Sequence, residues 1–279
     1  MTTPSYSQEV ATAREYYNST DADNFYFTIW GGEDIHVGMY KSEDEPIFDA
    51  SRRTVETMAS KLDKIDENTR ILDLGAGYGG AARYLAATYG CRVVALNLSE
   101  VENQRDREMN KEQGLDHLID VVDGSFEDLP YPDESFDAVW SQDAILHSSQ
   151  RRKVIHEAAR VLKPGGQLVF TDPMQADDCP EGVLQPILDR IHLESLGSPG
   201  FYRRSAEEAG LKLVSFDEAT HQLITHYGRI LAESEKRHDE LSQVVSDDYI
   251  SKMKTGLGHW VEGGKNGYLA WGIFNFRKQ

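Results

Sequence analysis

Apolar positions in the first quarter of the chain follow the period of a helix. Between residues 47 and 62 they recur at intervals of three and four, which places them on one helical face. Residues 10–30 contain many aromatic side chains and predict a further helix that packs against the rest of the protein. We therefore expect residues 1–64 to form a helical cover. The apolar positions of the first face are Val55, Met58, Ala59 and Leu62.

From residue 70 onward, short apolar runs alternate with amphipathic segments. The runs predict strands at 71–74, 92–96, 119–122, 136–140, 167–171, 211–216 and 268–276. Helices are predicted at 81–89, 102–113 and 151–162, with a helical insertion at about 221–256. This alternation is typical of a mostly parallel sheet covered on both faces. The sequence thus predicts a doubly wound, Rossmann-like, seven-stranded α/β domain over residues 65–279, with helical lid insertions.

The charge balance excludes some classes of function. Among 279 residues, 47 are acidic and 29 are Lys or Arg, so the net charge is −18. Such a field repels nucleic acids and acidic membranes, which argues against an enzyme that modifies DNA or RNA. Adaptation to a salty cytoplasm and an ordinary acidic cytosolic protein both explain this composition. A mutually repelling surface also favours a monomer.

Cysteine usage and the first residues indicate the compartment. Cys91 and Cys179 are the two cysteines, and neither their spacing nor that of His221 and His226 is typical of a metal site. Residues 1–8 lack the pattern of a secretory signal, and no run of 18 apolar residues occurs. We expect a cytoplasmic protein without a bound metal and without a membrane span.

A glycine-rich turn lies between the first predicted strand and its helix. The segment 73–80 reads Asp-Leu-Gly-Ala-Gly-Tyr-Gly-Gly. Glycines at such a turn let the backbone approach a ligand beneath the positive end of a helix. Gly75, Gly77 and Gly80 fit the dinucleotide pattern, whereas Gly75, Gly77 and Gly79 fit the methyltransferase pattern. The turn alone does not choose between the two cofactors.

Neighbouring polar residues favour S-adenosylmethionine over NAD. Asp73 precedes the glycines, where a carboxylate can lie near the cofactor's amino group or sulfonium. Asn97 ends the second strand and can bond a ribose hydroxyl. Asp123-Gly124-Ser125-Phe126 can hold an adenine between a carboxylate and a ring, although Asp-Gly is also a common turn pair. Residues 160–166, at the start of the fifth strand, resemble the same segment of class I methyltransferases.

The chain also resembles a narrower family, the sarcosine/dimethylglycine N-methyltransferases that make glycine betaine. The resemblance covers nearly the whole chain and rests on segments 25–27, 30–38, 72–82, 140–144, 146–148, 171–174, 185–191, 259–260 and 263–264. It implies methyl transfer from S-adenosylmethionine to sarcosine and then to dimethylglycine, leaving S-adenosylhomocysteine. The cofactor-binding residues expected on these grounds are Trp30, Gly38, Asp73, Gly75, Gly77, Asn97, Leu98, Asp123, Gly124, Ser125, Phe126 and Gln142.

Methylation of an amine requires a proton acceptor, because a free amino acid's amine is mostly protonated at neutral pH. His147, just after the fourth strand, is the first candidate, and a role limited to hydrogen bonding fits it equally well. Asp143 and Asp172 are weaker candidates. Methylation of glycine or phosphoethanolamine stays open as an alternative, as do a non-catalytic cofactor-binding protein and an NAD-dependent oxidoreductase.

The product of the implied reaction is a quaternary ammonium ion, which aromatic faces stabilise. Tyr26 and Trp30 are expected to contact it, with Tyr202 and Trp260 behind them. Each of these rings could instead be plain core. The substrate carboxylate requires a cation. Arg203 is the leading candidate, with the following alternatives: Arg190 and Lys265.

Overall fold

The structure, a computed structural model, describes residues 8–30 and 32–279. The prediction about a secretory signal concerns residues 1–8, most of which lie outside the described part of the chain. Gly31 also lies outside it. No helix within these ranges is long and apolar enough to span a bilayer. Within the same ranges no group of three or more His, Cys, Asp or Glu side chains is arranged to hold a metal ion.

A seven-stranded sheet forms the centre of the protein. Its strands are β1 (Arg70–Leu74), β2 (Arg92–Asn97), β3 (Ile119–Asp123), β4 (Phe136–Gln142), β5 (Leu162–Thr171), β7 (Leu211–Glu218) and β9 (Gly272–Lys278). Their order is β3-β2-β1-β4-β5-β9-β7, and β9 runs antiparallel to both of its neighbours while β1 to β5 are parallel. Two short strands, β6 (Met174–Gln175) and β8 (Leu269–Ala270), pair separately. The predicted sheet is confirmed.

Helices cover both faces of the sheet because its central strands are apolar on both sides. They are α3 (Ile47–Ala59), α4 (Gly80–Tyr89), α5 (Glu100–Glu112), α6 (Arg151–Val161) and α8 (Pro199–Glu208). One buried cluster includes Leu72, Val139 and Phe170, and a second on the other face includes Ile71 and Trp140. The alternation of side chains along each strand separates the two clusters.

A third apolar cluster lies in a helical layer. It involves α2 (Thr20–Ile29), α7 (Gln185–Ile191), α9 (Thr220–Lys236), α10 (His238–Leu241) and α11 (Asp247–Lys265), together with the loop that follows α2. Phe25, Leu223 and Leu257 are among its buried side chains. Helices from both the amino-terminal segment and the later part of the chain thus build one cover.

Helix boundaries differ from the predicted ones where polar side chains cap the backbone. The segment 10–30 forms two helices, α1 (Gln8–Tyr17) and α2, since Ser19 accepts a hydrogen bond from the Ala22 amide and begins a new helix. The helical stretch predicted at about 221–256 is interrupted in the same way, because Ser246 caps α11. The sequence analysis did not predict α7 or α8, both of which begin beside a proline.

Buried ionic contacts fasten the cover to the sheet domain. The Arg83 guanidinium in α4 is almost fully buried and donates to Asp106, Asn110 and Glu33 at 2.9, 2.9 and 2.7 Å. Glu33 belongs to the loop after α2, whereas Asp106 and Asn110 belong to α5. Burial raises the pKa of Asp106 to about 6, and the adjacent Arg83 opposes that rise. One side chain therefore neutralises acids from two elements.

Replacing Arg83 by Met should destabilise the protein by about 3–5 kcal/mol, because it leaves buried carboxylates without their cation. Urea unfolding at pH 7.5 measures the change. Arg152→Met is the matched control, since Arg152 pairs with Glu208 on the surface, where both side chains are about half exposed, and should change stability by less than about 0.5 kcal/mol. Equal losses in the two variants would contradict this account.

Candidate active site

The glycine turn follows β1 and brings backbone to the edge of a cavity. Gly75, Gly77 and Gly79 have φ values of +76°, +56° and +75°, which favour glycine over residues with a side chain. A Cβ atom on Gly75 would lie 2.4 Å from the Ala144 Cβ, and one on Gly77 would lie 3.1 Å from Ile35 Cδ1. The turn therefore requires glycine for two reasons: its backbone conformation, and the close packing of Ala144 and Ile35 against it.

This cofactor cavity has a volume of about 90 Å³ at the carboxyl ends of β1, β2 and β4, where ligands bind in open α/β sheets. Six of the predicted cofactor residues line it: Gly75, Gly77, Asn97, Leu98, Phe126 and Gln142. The other lining residues are not among those predicted to bind the cofactor. They are Tyr17, Ile35, Ser99, Glu102, Asp143, Ala144 and His147.

Two buried polar atoms near this cavity have no partner among the described residues. One is Asp73 Oδ2, at the base of the glycine turn. Burial raises the Asp73 pKa to about 8, and the carboxyls of Asp106 and Asp34 add to the rise. The other is the Gln142 side-chain nitrogen, whose amide oxygen accepts from Trp140 at 3.0 Å. An unpaired buried acid and an unpaired amide fit a ligand that carries both a positive charge and an acceptor atom.

Glu102 is an acid of the cofactor cavity that the sequence analysis missed. Its carboxylate accepts from the Asn97 side chain at 2.8 Å, and burial raises its pKa to about 7. Ser99, three residues earlier, caps α5 by accepting from the Glu102 amide. The Ser-x-x-Glu spacing at a helix start is typical of a capping box, in which the acid bonds the helix backbone. Here the Glu102 carboxylate bonds Asn97 and lines the cavity.

The residues of the Asp123–Phe126 segment, which the sequence predicts to hold the adenine, differ in their position relative to the cavity. Phe126 lines the cavity. The Asp123 carboxylate is exposed and accepts from Asn103 at 2.7 Å and from Arg107 at 3.1 Å. Gly124 lies close to Leu96, and the Ser125 hydroxyl accepts from the Glu127 amide. Only Phe126 of this segment contacts the cavity directly.

A second cavity of about 70 Å³ lies under the helical layer. We name it the acceptor cavity. Four predicted substrate residues line it: Tyr26, Trp30, His147 and Trp260. Trp30, which the sequence also predicts to contact the cofactor, lines the acceptor cavity and not the cofactor cavity. The Tyr227 ring joins the wall and stacks on Trp260 with a centroid separation of 5.2 Å. The tertiary fold thus gathers three aromatic rings from α2, α9 and α11, together with that of Trp30.

His147 ends a short 3₁₀ turn (Ile145–His147) after β4 and faces Tyr17. Its Nε2 lies 2.8 Å from the Tyr17 hydroxyl oxygen. Burial lowers the His147 pKa to about 4, helped by the charges of Arg151 and Arg190, so the imidazole is neutral at pH 7. Burial also raises the Tyr17 pKa well above 10, so the phenol keeps its proton. The pair is therefore uncharged and linked by one hydrogen bond.

The cofactor and acceptor cavities meet at one place. Four residues line both of them: Tyr17, Ile35, Asp143 and His147. The Asp143 carboxylate accepts from the Val37 amide at 2.7 Å and from the Trp271 indole nitrogen at 2.8 Å. Burial raises its pKa. A methyl donor in one cavity and an amine in the other would approach each other at this junction.

Tyr202 does not line the acceptor cavity, contrary to its expected contact with substrate. Its ring is fully buried against Phe170, and its hydroxyl donates to Asp172 Oδ2 at 2.5 Å. Asp172 also accepts from the Leu146 amide at 2.9 Å. Since Leu146 precedes His147, Tyr202 and Asp172 support the turn that carries His147. Burial raises the Asp172 pKa to about 8, but neither residue faces the amine.

Arg203 and Gly38, predicted to bind the substrate and the cofactor respectively, line neither cavity. Arg203 lies on the exposed side of α8, and its guanidinium is 5.3 Å from the centre of the Phe216 ring. This position does not fit the predicted role in binding the substrate carboxylate. The place of Arg203 is explained by stacking on an aromatic ring. Gly38 packs against Ala50, since a Cβ there would lie 2.8 Å from the Ala50 Cβ. Arg190, an alternative to Arg203, does line the acceptor cavity, whereas Lys265 is largely exposed beside Glu262.

Comparison with known proteins agrees with this geometry. Residues 72–170 match the family model of a methyltransferase domain. A sarcosine/dimethylglycine N-methyltransferase from Halorhodospira halochloris is 62% identical over the full length of both chains. Another from Aphanothece halophytica is 58% identical over 95% of this chain and 96% of its own. A solved structure from Galdieria sulphuraria, described as a candidate sarcosine dimethylglycine methyltransferase, is 46% identical, with a TM-score of 0.90 over 95% of this chain and 99% of its own.

The sheet order and the glycine turn define a class I methyltransferase that uses S-adenosylmethionine. The glycine cradle, the unpaired Asp73 oxygen and the free Gln142 amide fit that cofactor. Within this class, the chain belongs to the sarcosine/dimethylglycine N-methyltransferase family.

Gly75→Ala should abolish measurable cofactor binding, because the added methyl meets Ala144 at the cavity wall. The control is Gly90→Ala. Gly90 has nearly the same φ (+70°), but its nearest neighbour would lie 3.7 Å away. Both variants carry the same backbone strain, about 1 kcal/mol, so only the first should lose affinity for S-adenosylhomocysteine in calorimetry. Loss of binding in both would show that strain, and not the cavity, governs the effect.

Proposed function

We propose that this protein methylates the nitrogen of sarcosine and then that of dimethylglycine, giving glycine betaine. The observation that carries the proposal is an aromatic-walled acceptor cavity that joins the cofactor cavity at Tyr17, Ile35, Asp143 and His147. The substrates named for relatives of 58–62% identity support the same assignment. One relative of 58% identity, from Actinopolyspora halophila, is also named for glycine, and this chain spans about half of its length.

Several residues are proposed to hold the cofactor, which when bound supplies a methyl group on a sulfonium. Asp73 would balance a positive charge of the cofactor, and the Gln142 amide would donate to it. Glu102 and Asn97 at the end of β2 would bond the ribose hydroxyls, while Phe126 would lie against the adenine.

The junction of the two cavities offers the amine an uncharged hydrogen-bond partner. The Tyr17–His147 pair is itself neutral and can accept from the single N–H that neutral sarcosine keeps. Neutral dimethylglycine has no N–H, so its lone pair alone must face the junction. The chain thus orients the nitrogen by a hydrogen bond at the Tyr17–His147 pair, in which His147, with its pKa lowered to about 4, is a weak proton acceptor.

Methyl transfer moves positive charge onto the substrate nitrogen, and the aromatic walls stabilise it there. Tyr26, Trp30, Tyr227 and Trp260 line the cavity with ring faces and edges. A cation over such a face gains about 0.5–2 kcal/mol, most when water is excluded. The Asp143 carboxyl at the junction also places its oxygens beside the developing charge. These contacts strengthen as the charge develops, which is the condition for catalysis.

Cytoplasmic location, a monomeric state and the division into an amino-terminal segment (1–64) and a methyltransferase domain (65–279), to which the later helices of the cover belong, are part of this proposal. Both cysteines are free thiols, which supports a reducing compartment. The net charge of −18 supports a small zwitterionic substrate over a nucleic acid.

Incubation with S-adenosylmethionine and one candidate amine at a time tests the substrate. Mass spectrometry should show dimethylglycine and betaine from sarcosine, betaine from dimethylglycine, and no product from phosphoethanolamine. Methylation of phosphoethanolamine alone would replace the proposed substrate and retain the cofactor assignment. Glycine serves as a comparison, since the relative from Actinopolyspora halophila is named for it.

Cofactor affinity should rise as the pH increases from 6 to 8. Asp73, with a pKa of about 8, changes from mostly protonated at pH 6 to about half ionised at pH 8 in the free protein, and a cationic ligand favours its ionised form. Glu102, with a pKa of about 7, contributes in the same direction. Calorimetry with S-adenosylmethionine in buffers of different ionisation enthalpy would detect the released protons.

Asp73→Asn should weaken binding, reduce this pH dependence to the part due to Glu102, and stabilise the free protein. The stability change has the sign expected for an acid whose pKa is raised on folding: ionisation costs stability above the unfolded pKa of about 4. We expect a gain of about 1 kcal/mol at pH 8, or about 2–4 °C in Tm. Unchanged affinity in this variant would refute the role of Asp73.

A further inference from the structure

Arg190 occupies the outer end of the acceptor cavity. It lies in the last turn of α7, and its side chain lines both this cavity and an open groove of about 770 Å³ on the protein surface. Tyr16, Met253 and Tyr249 form other parts of the groove. A molecule that moves from the groove into the cavity therefore passes the Arg190 guanidinium.

The Arg190 guanidinium has no carboxylate partner in the described ranges 8–30 and 32–279, although the chain carries 47 acids. Its hydrogen-bond neighbour in these ranges is the Met253 sulfur, a weak acceptor. By contrast, Arg83 and Arg105, which are also wholly or partly buried, each bond a carboxylate. A half-buried arginine whose donors lack strong acceptors is suited to bind an anionic ligand.

Helix α11 provides the room for this guanidinium at a glycine. A Cβ atom on Gly256 would lie 2.2 Å from Arg190 Nε and 2.8 Å from Cζ. At Gly258, two residues further along the same helix, an added Cβ would have no neighbouring atom within 4 Å. Glycine in a helix interior costs about 1 kcal/mol relative to alanine. At position 256 the missing side chain leaves the space that the Arg190 guanidinium occupies, which accounts for a glycine in this helix.

We propose that Arg190 binds the carboxylate of the amino-acid substrate and that Gly256 positions it by leaving space for the guanidinium. The inference rests on the proposed function and extends it to the recognition of the acid group. With the carboxylate at the outer end, the nitrogen, one carbon away, points inward to the junction of the two cavities. Arg190 then distinguishes N-methylated amino acids from amines of similar size without an acid.

Charge matching favours a carboxylate over a phosphate at this position. Arg190 is the lone Lys or Arg among the described residues that line the acceptor cavity. One guanidinium pairs with a monoanionic carboxylate through two parallel hydrogen bonds. A phosphate monoester carries close to two negative charges at neutral pH and would leave one of them uncompensated here.

The central test compares Arg190→Gln with wild type on dimethylglycine and on 2-(dimethylamino)ethanol, which lacks the acid. Loss of a charged partner should raise KM for dimethylglycine about 30-fold or more, with a smaller change in kcat. The preference for dimethylglycine over the amino alcohol should fall by a similar factor. Arg190→Lys should lie between the two, because lysine keeps the charge and loses the paired donors.

Two controls separate recognition from folding. Arg203→Gln makes the same change at the surface arginine stacked on Phe216 and should leave KM unchanged. Calorimetric affinity for S-adenosylhomocysteine should be the same in all arginine variants, because Arg190 does not line the cofactor cavity.

Gly256→Ala and Gly258→Ala test the positioning role with a matched pair. Both add a methyl group in α11 and improve helix propensity, but only the first displaces Arg190. We expect Gly256→Ala to fold, to bind S-adenosylhomocysteine normally and to raise KM for dimethylglycine about tenfold or more. Gly258→Ala should match wild type in all three measurements.

An unchanged preference between the two amines in Arg190→Gln would overturn the proposal, as would equal effects of the two glycine variants or an effect of Arg203→Gln alone. Wild-type inactivity on dimethylglycine and sarcosine would instead refute the proposed function. Binding of dimethylglycine to the complex with S-adenosylhomocysteine, measured by calorimetry, tests Arg190 independently of turnover.

Discussion

The Asp143 carboxylate joins the three parts on which the active site depends. It follows β4, accepts from the Val37 amide in the cover and from the Trp271 indole before β9, and lines both cavities. Its φ of +50° is unusual for a residue other than glycine. Such strain persists where the surroundings fix a conformation. Two hydrogen bonds from distant segments provide that fixation, so the junction of the cavities is set by one side chain.

Buried acids around this junction are retained at a cost in stability. Burial raises the pKa values of Asp73, Glu102 and Asp172, which means that ionising them opposes folding at neutral pH. Asp172 is compensated by Tyr202 and the Leu146 amide, and it holds the turn of His147. Asp73 has an oxygen without a partner among the described residues. A structural role explains Asp172, whereas for Asp73 we propose a role in balancing the charge of the cationic cofactor.

Two chemically different halves meet at the active site. The cofactor half is built from backbone turns and polar groups at the ends of β1, β2 and β4, which the parallel sheet places side by side. The acceptor half is built from rings on helices far apart in sequence, such as Tyr26, Tyr227 and Trp260. Aromatic walls suit an amine that acquires a permanent positive charge in the reaction.

The sequence by itself determined the sheet from its strand period, the cofactor from the glycine turn with the polar residues around it, and the family from segments spread over nearly the whole chain. It also named Tyr26, Trp30, His147 and Trp260, which line one cavity in the structure. Tertiary structure decided which arginine faces the cavity, since Arg190 and Arg203 have equivalent local sequence signals and differ only in what α11 and Phe216 place beside them. It likewise moved Tyr202 into the core and brought Tyr17 to His147 across 130 residues. Contacts between distant elements depend on packing, which no local pattern specifies.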